Sequence, residues 1–132
     1  MMSSLAALRL VATSLMAQSK PVIKVNVPFD FVAGVKTLPA GEYQVQTEWP
    51  SVALMQSKDS KSNVNLAVHF APARQMSGVA VLRFNRYGDR YFLSEIWTGS
   101  DLAQELPKSR AEREQIAATG SSHAVVALTA ER

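Results

Sequence analysis

VAVLRFNRYGDRYFLSEIW, residues 79–97, is the stretch on which the fold turns. In its first arm Ala80, Leu82 and Phe84 alternate with Val81, Arg83 and Asn85. In its second, Phe92 and Ile96 alternate with Tyr91, Leu93, Glu95 and Trp97. A two-residue period marks a strand with two unlike faces, so the arms predict a pair of antiparallel strands. Tyr87-Gly88-Asp89-Arg90 supplies the turn between them, because glycine adopts the positive φ that a tight hairpin needs and aspartate tolerates it. β-Branched and aromatic neighbours suit a pleated, half-buried surface.

Upstream the same period recurs. Ile23, Val25, Val27, Phe29 and Phe31 alternate with Lys24, Asn26, Pro28 and Asp30, the pattern of a strand with one buried and one wet face. Pro28 cannot donate to a ladder, which predicts an edge strand or a bulge at that point. An edge is also where a second chain can pair. Leu38-Pro39-Ala40-Gly41 reads as a turn. Tyr43, Val45, Thr47 and Trp49 then face one way and Gln44, Gln46 and Glu48 the other. Residues 52–55 are apolar on both faces, as in a central strand, and 57–63, SKDSKSN, are a polar loop. Val64, Leu66, Val68 and Phe70 alternate again before a loop that carries Pro72 and Gly78. Six strands at close spacing predict an all-β antiparallel meander, closed as a small barrel or packed as a sandwich.

Downstream the character changes. Ser109-Arg110-Ala111-Glu112 has the spacing of a reciprocal capping box, which predicts a short helix over 109–118, with Arg110 and Glu114 one turn apart and Gly120 at its end. AVVALTA, within a terminal strand expected over 123–130, is apolar on both faces. It predicts a last strand set between neighbours or against another molecule.

Residues 1–19, MMSSLAALRLVATSLMAQS, differ from the rest: one base at Arg9, no acid, an apolar run and small residues at the end. That order predicts an export signal cleaved near Lys20, a periplasmic or extracellular location, and a single β-domain over 20–132. An amphipathic helix is the alternative reading, since Leu5, Leu8 and Leu15 fall at helical spacing. No stretch approaches the roughly 20 apolar residues of a membrane-spanning helix.

The 132 residues carry 14 bases and 11 acids, scattered singly, and no cysteine. Nucleic-acid binders concentrate their bases in a stripe, so nucleic acid is not an expected partner. The lack of cysteine removes disulfides and thiolate zinc sites. No G-x-S-x-G elbow or glycine-rich phosphate loop occurs. His69 and His123 have no ligand-spaced neighbours, and His69 is expected to face solvent. Glu95 is expected to pair across the strands with Arg83. These readings assign no catalytic, metal-binding or cofactor-binding residue and predict no cofactor. The one cluster with recognition character is Arg86, Tyr87, Asp89 and Arg90 at the hairpin tip, together with Trp97, because Arg, Tyr and Trp dominate binding hot spots.

Taken as blocks, VNVPFDFVAG, TLPAGEY, NRYGDRYFLSEIW and LPKSRAERE resemble a set of small exported proteins of soil-type bacteria that share them in this order. The resemblance spans residues 25–114 and implies an exported β-protein of no assigned activity. It carries no site residues. The functional expectation is therefore a non-catalytic structural protein, a surface or filament subunit, self-associating through strands at 22–31 or 124–130. The alternative is a monomeric module that binds a small apolar ligand or a protein partner.

Overall fold

The computed structural model describes residues 22–47, 49, 51–72, 78–99, 102–120 and 123–131. The export signal expected over 1–19 lies outside them. The elements are β1 (Val22–Val27), β2 (Phe31–Ala33), β3 (Lys36–Leu38), β4 (Gly41–Gln46), β5 (Val52–Ser57), β6 (Asn63–Ala67), β7 (His69–Pro72), β8 (Ala80–Tyr87), β9 (Arg90–Thr98), β10 (Leu102–Glu105), α1 (Arg110–Thr119) and β11 (Ala124–Ala130). No helix among the described residues is long and apolar enough to cross a membrane.

One sheet runs β1-β4-β5-β6 and the other β11-β8-β9-β10-β7, with the β2–β3 hairpin attached to β9. The pairings are antiparallel except for one parallel bridge, Val32 to Phe92. The sheets join on both sides. On one side β6 runs through Val68, whose N–H donates to Ser51, directly into β7. On the other, Lys24 of β1 and Glu131 exchange two backbone hydrogen bonds of 2.6 and 2.8 Å. Among the described residues the result is an all-β, curled barrel-like body with one helix near its C-terminal end.

The first strand expected from alternation is broken. β1 ends at Val27, and Pro28, Phe29 and Asp30 carry the chain into the other sheet, where β2 begins. Asp30 fixes the corner by accepting the Ala40 N–H at 2.9 Å. The β2–β3 hairpin was not legible in the residues. Its turn depends on Gly34 at φ +63°, where a Cβ would stand 3.2 Å from the Leu66 side chain. In the β8–β9 turn Gly88 has φ +65° and Asp89 is not left-handed. That is the hairpin turn with glycine at its first central position.

The interior is filled by side chains from both sheets. Val27, Val45, Met55, Leu82, Phe84 and Ile96 are each 0% exposed, worth about 1.5–3 kcal/mol apiece for the larger apolar groups. Phe29 stacks on Tyr91 at 3.7 Å and meets Phe84 edge-on at 5.1 Å, so the corner residue after Pro28 also seals the core.

Candidate functional site

The strand alternation expected for β9 fails in its middle. Arg83 pairs with Glu95 and Phe84 with Leu93, so Ser94 is an extra residue, a bulge. Leu93 and Ile96 therefore share the core face with Leu82 and Phe84, whereas Phe92 joins Tyr87 on the outer face. Sequence alternation had placed Phe92 with Ile96. The bulge puts them on opposite sides.

The outer face of β8 and β9 is where the polar chemistry gathers. Arg83 lies 3.7 Å from Glu95, the cross-strand ion pair that the sequence suggests, and its guanidinium sits 5.3 Å from the Trp97 ring. The Trp97 Nε1–H donates to Glu95 at 2.6 Å. Towards the turn, α1 covers the sheet, with Ala111 and Ile116 packed on Val32, Tyr87 and Phe92.

Ser109 caps α1 by accepting the Glu112 N–H at 3.1 Å, and the Gly120 N–H donates to Ile116 at 2.7 Å at the other end. The reciprocal half of the expected capping box is not made. Glu112 turns its side chain inward, where it is 3% exposed. There Oε2 accepts from the Tyr87 hydroxyl at 2.8 Å and from Asn85 Nδ2 at 2.9 Å. Burial first, then the bond to Glu112 and its charge, push the Tyr87 phenol up to about 12.

Glu112 differs from the other paired carboxylates. Glu42 has Lys58 at 3.4 Å, Glu95 has Arg83, Glu105 has His69 at 3.0 Å and Glu114 has Arg110 at 3.6 Å. Glu112 has two neutral donors on one oxygen and no basic partner among the described residues. It lines an open cleft of about 310 Å³ with Arg83, Asn85, Glu95, Lys108 and His123. The His123 ring is 5.2 Å from that of Tyr87.

The five residues expected to form a recognition surface are not one surface. Arg86, Asp89 and Arg90 are exposed together at the turn. Arg86 Nε donates to the Gly88 carbonyl at 2.7 Å, and Arg90 reaches Gln115 of α1 at 3.3 Å. Tyr87 is 2% exposed beneath α1, and Trp97, 7% exposed, packs with Val81 and Ala103 at the far end of the hairpin. His69 is exposed, as its alternation suggests, and bonded to Glu105. Sequence reasoning missed Asn85 and the inward role of Glu112. The available signal was Asn85 and Tyr87 two apart on one strand face, which a helix acid must cover.

The second feature is the edge formed by β11. It pairs with β8 from Ala124–Arg86 to Ala130–Ala80, and it is the last strand of its sheet. Its sequence, AVVALTA, holds no charge and no proline, and its burial is slight until Ala130. Glu131 points its backbone groups at Lys24. Antiparallel alternation then turns those of Thr129, Ala127 and Val125 outward and those of Ala130, Leu128, Val126 and Ala124 towards β8. Beyond the bridge at Glu131 no described strand hydrogen-bonds to this outer edge, although β1 packs alongside its C-terminal end, where Thr129 faces Lys24, Val25 and Asn26 across a groove.

Comparison with protein-family models, curated proteins and solved structures finds no match to this chain.

Proposed function

We propose that this chain is an exported, non-catalytic structural protein that self-associates through the outer edge of β11. The observation that carries the reading is the one-sided pairing of an uncharged strand of seven residues. A long apolar edge with no charge, proline or bulge is a template for another strand, and sheets that avoid such pairing blunt it. A second copy is the occupant favoured by symmetry. Thr129 lines the groove towards Lys24, Val25 and Asn26 of β1, so the outward groups away from that groove are those of Val125 and Ala127. A two-fold axis at Val126 would set Val125 of one copy against Ala127 of the other, giving an isologous interface. Val125, 49% exposed, would contribute apolar area to it.

The outer edge of β1, the other terminal strand, is bridged by Glu131 of the same chain. This favours a closed dimer over an open filament as the first product. Export is supported by the residue order of 1–19.

Sedimentation velocity of the full chain across a concentration series tests the proposal. The expected result is a rise from monomer to dimer mass, abolished by Ala127→Pro and weakened by Ala127→Lys. A monomer at every concentration, or an unchanged dimer in both variants, overturns it.

A further inference from the structure

We propose that the cleft between α1 and the outer face of β8 and β9 is a binding site for a small zwitterion of the amino-acid class. Its ammonium would sit on Glu112 and its carboxylate on Lys108. The inference does not rest on self-association.

Glu112 is the starting point. It is 3% exposed, yet it lines the cleft of about 310 Å³. Both of its hydrogen bonds, from Tyr87 and Asn85, fall on Oε2. Oε1 has no hydrogen-bond partner among the described residues. A buried carboxylate is ordinarily paired with a cation or a metal, because neutral donors offset only part of its lost hydration. The two other acids on the cleft wall already have basic side chains as partners, Glu95 the Arg83 guanidinium and Glu105 the His69 ring. Tyr87 and Asn85 hold Glu112 from behind, so its orientation is set before anything binds.

The opposite charge is also present. Lys108 lines the same cleft, and its ammonium makes no ion pair among the described residues. Arg83 is held by Glu95 and lies over Trp97. One unmatched carboxylate and one unmatched ammonium on a cleft near the lower limit of ligand-site size call for a small molecule bearing both charges. A metal ion fits less well, since no group of three or more His, Cys, Asp or Glu among the described residues converges to hold one. The walls are polar, so an apolar ligand would leave the cleft's charges desolvated.

The test is calorimetric titration of the full chain, below its association range, with unbranched ω-amino acids from glycine to 6-aminohexanoate, and with methylammonium chloride and sodium acetate as half-ligands. One chain length is expected to bind best, at least about tenfold tighter than either half-ligand. Glu112→Gln, which keeps an acceptor for Tyr87, should abolish binding of both the amino acid and methylammonium. Lys108→Ala, an exposed change, should weaken the amino acid about tenfold and leave methylammonium unchanged. Three results would overturn the proposal: no binding across the series, equal binding by both variants, or methylammonium binding that strengthens in Lys108→Ala. The last would make Lys108 itself the counter-ion of Glu112. Thermal melts of both variants separate loss of binding from loss of fold.

Discussion

β1 and β11 are both terminal strands, both last in their sheets, and joined by one bridge, yet they are built on opposite rules. β1 alternates strictly: Ile23, Val25 and Val27 are 2, 4 and 0% exposed, while Lys24 and Asn26 face water. A lysine on the edge and Pro28 just beyond it are devices that discourage foreign pairing. β11 has neither device, and of its seven residues only Ala130 is buried. β1 thus carries blunting devices on an edge that its core already holds, and β11 carries none on the edge that its core holds least. That contrast supports reading the β11 edge as a surface meant for a partner.

The largest expected effect tests the contrast itself. Ile23→Ala in β1 should cost about 2–5 kcal/mol in urea unfolding, whereas Val125→Ala in β11 should stay within about 0.5 kcal/mol and lower association. Similar losses at the two sites would break the comparison. Next, proline can dissect β11 by alternation. Val126→Pro removes a donor turned to β8 and should destabilise by about 1–3 kcal/mol more than Ala127→Pro, whose lost donor faces outward. Equal costs would mean that the inferred edge is wrong.

A smaller effect concerns α1, which leads into β11. Tyr87→Phe removes one of the two donors to Glu112 and should cost about 1–2 kcal/mol. Amide exchange should quicken in α1 and β11 while β1 is unchanged. The same tyrosine has a pH signature. Its folded pKa, about 12, lies above its unfolded value, so the fold favours the neutral phenol. That stabilisation is complete below about pH 10 and is lost as pH rises through about 12. Tyr43 is shifted the same way by burial, with Asp59 and Asp30 adding to it. Alkaline unfolding should therefore be shallower, not absent, in Tyr87→Phe. The smallest effect is Arg110→Ala: its pair with Glu114 is well exposed, and its loss should move stability by no more than about 0.5 kcal/mol.

The period of two made the hairpin, β1, β4 and β6 legible, because a half-buried sheet writes its faces directly into the residue order. Ser109 announced α1 one residue before its first turn. What stayed hidden depends on distant chain. Nothing local distinguishes the strand break at Pro28-Phe29-Asp30 from a bulge, since the Asp30 bond to Ala40 forms only after folding. Ser94 reads as one more alternating residue until β8 sets the register. Within the cleft, the Arg83–Glu95 pair was legible from charge and proximity, although the turn alone would set Arg83 opposite Ser94 and it is the bulge that brings Glu95 across. Glu112 was not, because its contacts lie 25 and 27 residues away. Its local capping role was a sufficient account of the same residue.

Ser94 also works as a phase shifter. Were Ser94 paired like its neighbours, the strand would keep one parity from end to end, so that burying Leu93 would turn Ile96 outward and bring Glu95 towards the core. One inserted residue lets β9 change parity halfway, and both ends then satisfy the same interior. The charged half of the cleft wall, Glu95 with Arg83, lies just past that shift. Deleting Ser94 would remove the bulge and leave Leu93 and Ile96 on the core face with Glu95 between them on the outer face, in an unbroken alternation.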